Sequence, residues 1–426
     1  MKRGLLKIHR TETQRNRGFR VICKLIDILR VIALPLCIIL FALPAAAQAS
    51  YPPDLISQSA VVMDAATGTL VFYKNPDDEI PPASLTKLMT MHLAFKEIAA
   101  GKASLNEIIV PSRESWAISQ PPLSSLMNLA PGQKLSLREL LLGMAVFSGN
   151  DAAVAVALRF APSVPEFAEM MTREAETLGL SKTRFVDASG YSEDNMTSAR
   201  EFAEFCRIYL EAHPESLRDY HSVREFAYPM AENVAEQYRD NPGTRIQRNR
   251  NTLLGKVEGV DGLKTGFIFE SGYNIALTAE RNGTRFIVVI LGAPAGWGGE
   301  RIRDDEGKKL FDWAFDNYRT LRPRPTDLES VRVWKGRNNY VNLIYGAPLD
   351  FTALNERGED LSWTIKYDDP LIAPLPAGSQ AGFLKIYDSL GELRSIPLLT
   401  AEAVEKGGFF KRLFDSIRLF FRRKFT

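Results

Sequence analysis

The apolar positions of this chain change their period several times, and each change marks an element. Residues 59–75, SAVVMDAATGTLVFYKN, hold two β-rich runs, AVVMD and TLVFY, around an AATG turn, which predicts a hairpin. From Ser84 the spacing widens to about 3.6 in SLTKLMTMHLAFKEIA, the pattern of a helix. The helical period dominates from about Ser104 to Leu210. It is clearest in LSLRELLLGMAVFSGNDAAVAVALRFA and VPEFAEMMTREAETLGL, where Ser136 and Glu139 form a candidate capping box. The strand period returns in VDGLKTGFIFESGYNIALTAERNGTRFIVVILGA. Here NIALTAE and RFIVVILG flank RNGT, a strong hairpin signal, and GKKLFDWAFDNY follows as a closing helix. Strands, helix, helical insertion, strands, helix: this order predicts an α/β (α+β) domain over residues 52–318. Its antiparallel sheet is covered by helices and carries an inserted helical subdomain.

From Arg319, RTLRPRPTD reads as a linker by its prolines. Short β segments at turn-rich spacing follow (VRVWKG, YVNLIYG, LSWTIKYD, GFLKIYDSLGELRSIPLL) and predict a small all-β domain, a sandwich over residues 325–400. In the tail, residues 405–426, Phe410, Leu413, Phe414, Ile417, Phe420 and Phe421 recur every three or four positions. Lys411, Arg412, Arg418, Arg422 and Arg423 lie largely off that stripe. This is the pattern of a helix lying on a membrane surface, although a helix packed on the β domain would share it.

Composition narrows the class. A chain of 426 residues implies two or more domains, and a net charge of +2 argues against a general nucleic-acid binder. Residues 1–49 run from basic to apolar to Ala-x-Ala, the order of a secretory signal, with cleavage after Ala47 or Ala49. The apolar run is a little short for a spanning helix, which leaves an uncleaved anchor as the lesser reading. Cys23 and Cys37 lie inside this segment, so the exported chain keeps only Cys206 and forms no internal disulfide. There is no CxxC and no Cys/His cluster, so neither a metal nor a cofactor is expected.

The candidate chemistry begins at PPASLTKLMT, where Ser84 precedes Lys87 by three residues. Alone, Ser-x-x-Lys is more often a capped helix than a nucleophile with its base. Two later stretches change the balance: FSGNDAA, with Ser148, Gly149 and Asn150, and VDGLKTG, with Lys264, Thr265 and Gly266 at a strand end. Each is weak alone, but in this order the three form a specific set. A serine needs a base, and a lysine becomes one when burial and a nearby like charge lower its pKa. Lys264 is the expected like charge for Lys87. The competing systems lack their parts. There is no G-x-S-x-G elbow for a Ser–His–Asp triad, whose histidine would have to be His92, His213 or His221. A class A β-lactamase would need Glu-x-x-Leu-Asn between Asn150 and Lys264. A non-catalytic scaffold remains a third reading.

With MDAATGTLVFYKN, NRNTLL and SGYNIALTAERNGTRFIVVILG added to those motifs, residues 56–318 resemble the low-molecular-mass penicillin-binding proteins that are D-alanyl-D-alanine carboxypeptidases, serine peptidase family S11. The β domain and tail fit as well. The resemblance implies a β-lactamase/transpeptidase-like fold and a Ser84 acyl-enzyme formed with Lys87 as base. It implies Ser148 as proton relay, Asn150 on the substrate amide and Lys264 beside them. The backbone N–H groups of Ser84 and Phe267 would form the oxyanion hole. Thr265 and Arg250 would take the terminal carboxylate, and Gly266 would let the substrate backbone come close to the strand. The implied substrate is the peptidoglycan pentapeptide stem, with β-lactams as covalent inhibitors. The implied place is the periplasmic face of the cytoplasmic membrane. One departure stands out: Ile268 follows Phe267 where the family usually has threonine, which bears on the preference for the leaving peptide.

Overall fold

The computed structural model describes residues 51–325 and 328–425. The signal assigned to residues 1–49 lies outside them. Strands β1 (Ser59–Asp64) and β2 (Leu70–Lys74) form the expected hairpin, and helix α1 (Lys87–Ala99) follows. Helices α2 (Leu137–Leu142), α3 (Asn150–Phe160), α4 (Val164–Thr177) and α5 (Ala199–Ala212) build the inserted subdomain. Strands β3 (Val260–Ile268), β4 (Gly272–Arg281) and β5 (Thr284–Ala293) complete the sheet, and α6 (Gly299–Asn317) closes the domain. The sheet is antiparallel throughout, in the order β2-β1-β5-β4-β3, so β3 is an edge strand.

Both faces of this sheet are buried, and alternate residues serve different cores. Val61, Met63, Ile287 and Val289 face the helical subdomain with Leu88, Met91 and Phe205. Their neighbours Val62, Val288 and Ile290 pack with Leu310 and Phe311 of α6. The RNGT turn places both Asn282 (φ 51°) and Gly283 (φ 74°) in left-handed backbone, as a two-residue hairpin requires. The Ser136 capping box also forms: the Ser136 hydroxyl accepts the Glu139 N–H (3.3 Å) while the Glu139 carboxylate accepts the Ser136 N–H (2.7 Å).

Two expectations fail. The stretch from Ser104 to Leu210 is less helical than its apolar spacing predicts, because residues 110–134 are mostly loop and short turns. Pro111, Pro121, Pro122 and Pro131 remove helix donors there. Nor is Arg319 the start of a linker. Tyr318–Leu321 (β6) is a strand that pairs with Phe351–Leu354. Leu321 is buried, and the Thr320 and Thr352 hydroxyls both donate to Asp64 at the end of β1 (2.9 and 2.8 Å). The chain is straight and apolar enough to extend a sheet until Pro323 stops it.

Beyond lie β7 (Val331–Trp334), β8 (Phe351–Leu354), β9 (Ser362–Tyr367) and the long hairpin β10 (Gln380–Asp388) and β11 (Gly391–Thr400). They enclose a core of Val333, Val341, Leu384, Ile386, Ile396 and Leu398. The fold is thus a mixed α/β domain followed by a β-rich one. Helix α7 (Phe409–Phe425) ends the described chain. Among the described residues, no helix is long and apolar enough to cross a membrane.

Candidate active site

Ser84 does not cap α1; its side chain takes no cap hydrogen bond. It stands in one tight turn, Ala83–Thr86, that leads into the helix. The turn is forced on the chain: Pro81 and Pro82 precede it, and Ala83 adopts φ 52°. It is braced from outside by Gly190, where a Cβ would stand 1.8 Å from the Ala83 carbonyl oxygen. One helical turn on, Lys87 is fully buried. Its Nζ lies 2.9 Å from the Ser84 hydroxyl, 2.7 Å from Asn150 Oδ1 and 2.6 Å from the Ser189 carbonyl. Three acceptors match the three N–H bonds of an ammonium; as a neutral amine, Lys87 instead accepts the Ser84 O–H.

Burial pulls the Lys87 pKa down to about 7, the carboxylates of Asp187 and Asp151 pull it back up, and the Arg250 guanidinium lowers it again. Lys264, also fully buried, is held well below its ordinary value by burial first, then by Lys87, Arg250 and Arg303. Lys87 and Lys264 act on each other as like charges, and the depression falls mainly on Lys264; the exposed Arg250 is a further like charge that lowers both.

Asn150 is the first residue of α3. Its Oδ1 accepts from Lys87 and its Nδ2 donates to Ser124 Oγ (3.1 Å). Ser148 is buried in left-handed backbone (φ 64°) where the wide turn Gly143–Phe147 ends. Lys264, Thr265, Gly266 and Phe267 lie within β3 rather than at its end, and Lys264 Nζ donates to the Thr265 carbonyl (2.8 Å). A Cβ on Gly266 would meet the Pro82 carbonyl at 2.9 Å and the Ser84 nitrogen at 3.0 Å. The glycine is therefore needed for the strand to lie against the turn that carries Ser84. Phe267 stacks on Tyr273 (4.4 Å). Arg250 is exposed, its guanidinium 4.8 Å over the Phe147 ring. A cleft of about 410 Å³ opens over Ser84, edged by Asn150, Gly190, Phe267 and Ile268.

Several supporting residues escaped sequence reasoning. Asp151 is buried and accepts the N–H groups of Met127, Asn128 and Leu129 (2.8, 2.8 and 2.9 Å), fixing the loop that presents Ser124. Burial raises its pKa against those hydrogen bonds. For Asp187 burial likewise pushes the carboxyl up. There the hydrogen bonds from Ser192, Asn195 and Ser189 win and hold it low. That carboxylate shapes the turn that offers the Ser189 carbonyl to Lys87; the Asp-Ala-Ser-Gly run was the available signal. Arg303 of α6 is buried, bonded to Asp304 (2.6 Å) and close enough to lower Lys264. The histidines belong elsewhere. His92 shares hydrogen bonds with His213 (3.0 Å) and Glu174 (3.1 Å), and His221 with the Tyr209 hydroxyl (2.8 Å). Among the described residues, no group of three or more His, Cys, Asp or Glu converges on a possible metal position.

A buried amine able to take a serine proton, in a cleft walled by an edge strand, is equipment for acyl transfer. On this sheet and helical insert it defines a serine enzyme of the penicillin-recognising, transpeptidase-like class. The chain belongs to the D-alanyl-D-alanine carboxypeptidase family, Peptidase S11, whose profile matches residues 46–295; that of the penicillin-binding protein 5 C-terminal domain matches residues 317–406. It is 32% identical to D-alanyl-D-alanine carboxypeptidase DacC of Escherichia coli (strain K12), over 89% of this chain and 92% of that protein. Among solved structures it is similar to penicillin binding protein 5 from Haemophilus influenzae (TM-score 0.71, 30% identity, 83% of this chain and 99% of that one). It is also similar to Penicillin-Binding Protein D2 from Listeria monocytogenes in its cefotaxime-bound form (TM-score 0.53, 29% identity, 62% and 98%). By family it is a serine-type D-Ala-D-Ala carboxypeptidase.

Proposed function

We propose that the chain removes the terminal D-alanine from peptidoglycan pentapeptides through an acyl-enzyme on Ser84. The observation that carries this reading is the 2.9 Å approach of the buried, partly neutral Lys87 to the Ser84 hydroxyl. Lys87 takes the hydroxyl proton as Oγ attacks the carbonyl of the penultimate D-alanine. The oxyanion is held by the N–H groups of Ser84 and Phe267, an arrangement worth roughly 3 kcal/mol per donor where such donors have been removed. Asn150 holds the substrate amide, and Thr265 and Arg250 hold the terminal carboxylate, for which a guanidinium fork is well shaped. The proton reaches the departing D-alanine amine through Ser148, with Lys264 beside it. Water then releases the shortened peptide, activated by Lys87 or Ser148. A β-lactam acylates the same oxygen.

The mature chain acts at the periplasmic face of the cytoplasmic membrane, exported by the signal in residues 1–49 and held on the surface by α7. Its catalytic part spans residues 52–318 and its β domain residues 325–400. The test uses the mature protein and Ser84→Ala with a pentapeptide ending in D-Ala-D-Ala, and measures free D-alanine. Release by the parent alone supports the reading. No release by a folded parent that still forms a penicillin adduct would mean a different acyl donor, such as a cross-linked peptide.

A further inference from the structure

The last helix is held to the β domain on one side and bare on the other. Successive residues of a helix advance by about 100°. Lys411, Asp415, Leu419 and Arg422 therefore share one face, and that face meets the β domain: Asp415 and Leu419 are buried, and Arg422 pairs with Asp369 (3.0 Å). Asp415 accepts the Lys335 backbone N–H (2.7 Å) and pairs with Lys411. Lys335, in left-handed backbone (φ 61°), then accepts the Gly407 N–H on its own carbonyl (2.8 Å), and the Arg337 N–H bonds to the Glu405 carbonyl (2.8 Å). The glycine pair before α7 is thus no free hinge. Gly407 lies so close that a Cβ would stand 2.8 Å from the Gly336 carbonyl.

The opposite face carries Phe410, Leu413, Phe414, Ile417, Phe420 and Phe421, all exposed. Arg412 borders this stripe on one side and Arg418 on the other, both exposed. The one acidic residue of α7, Asp415, is turned inward, so the outward face offers apolar surface between cations and no carboxylate. That charge pattern fits an anionic phospholipid surface.

We propose that α7 is a clamped bracket rather than a tethered anchor: Asp415 and the Lys335–Gly407 clasp hold its lipid-facing stripe in one fixed orientation on the β domain, before and after the protein reaches an anionic bilayer. This rests on the reading of α7 as the membrane-binding helix and adds that its orientation is built in.

The test uses the mature full chain with spin labels at Lys366→Cys on β9 and Ser416→Cys on α7; the native Cys206 is buried. The distance between labels is measured in solution and on vesicles of phosphatidylcholine with and without phosphatidylglycerol, beside co-sedimentation. One narrow distance, unchanged on phosphatidylglycerol vesicles, is expected. Asp415→Ala broadens it while vesicle binding persists, and Gly407→Ala, which strains the other half of the clasp, does the same. Phe414→Ser leaves the distance narrow but weakens vesicle binding about tenfold. A broad distance in the parent, or a narrow one in both clasp variants, overturns the clamp. A narrow distance with no binding to phosphatidylglycerol vesicles overturns the lipid partner instead. Self-association that Phe414→Ser abolishes, without vesicle binding, overturns it in favour of a second copy of the chain.

Discussion

As the proposed base, Lys87 has to be basic enough to take a proton and uncharged enough to accept it. With its pKa near 7, the neutral fraction grows as pH rises through 7, so acylation by a penicillin should climb through that region and level off above it. Stopped-flow acylation against pH measures this; a rate flat from pH 6 to 9 would rule Lys87 out as the base. Arg250 adds a sharper test. Its charge helps hold Lys87 down, so Arg250→Ala should move the limb to higher pH and also raise KM for a peptide with a free terminal carboxylate. A change in KM alone would mean that Arg250 touches substrate without tuning the base. At this scale the sequence picked out Ser84, Lys87 and Asn150, which the fold brings within hydrogen-bond distance, because a covalent mechanism restricts residue type. It did not show how far burial acts on them, because burial is not written in a motif: desolvation is the largest cause of the lowered pKa of both Lys87 and Lys264.

Among the elements, the loops do more of the positioning than the helices. Residues 127–129 hang on Asp151 and residues 189–195 on Asp187, and each loop delivers an acceptor to Asn150 or Lys87. Asp151→Ala leaves four backbone N–H groups, of Met127, Asn128, Leu129 and Ala152, without their carboxylate and should cost about 3 kcal/mol or more in unfolding free energy, read by urea titration. It should also slow acylation, since Ser124 and Asn150 lose their mutual support. Gly190→Ala tests the other loop. Its φ of 80° and the 1.8 Å approach to the Ala83 carbonyl leave no room for a methyl group, so penicillin acylation should fall far more than thermal stability does. An unchanged acylation rate would show that the turn carrying Ser84 is not braced there. Hairpins and caps were legible because their signals are local: Asn282-Gly283 and Ser136 with Glu139 need only their neighbours. The proline-broken loops before α2 were not, because apolar spacing persists in a loop that packs against a core. Strand β6 was missed because its partner, Phe351–Leu354, lies some thirty residues on.

At the scale of the whole molecule, acid is the expected weakness. Burial pulls His213 down to about 4 and His221 to about 3, and lowers His92 against the help of Glu174. Unfolded, each titrates near 6.5. Between that value and about 4 the unfolded chain takes up protons that the folded one refuses. Stability should therefore be complete above about pH 7 and fall as pH drops through this window, by roughly 3 kcal/mol from His213 alone. Calorimetry from pH 8 to 4 checks it: a Tm that holds steady down to pH 4 would show that these rings protonate without leaving the core. The order of domains was readable from the apolar periods; their junction was not, because it depends on one carboxylate meeting two distant hydroxyls.

That junction sets a path for mechanical load. Force entering from the tail passes through the β domain to Thr352 and Thr320, and so to Asp64 at the end of β1; the Thr320 N–H adds a bond to Thr284 of β5 (2.9 Å). Both receiving strands are interior to the sheet, and β4 stands between them and β3. A pull on the C-terminal end of the described chain would thus be shared between two interior strands of the sheet. Strand β3, which carries Thr265 and Phe267, would sit off that line of strain, whereas α1, which carries Lys87, packs directly on the loaded strands β1 and β5.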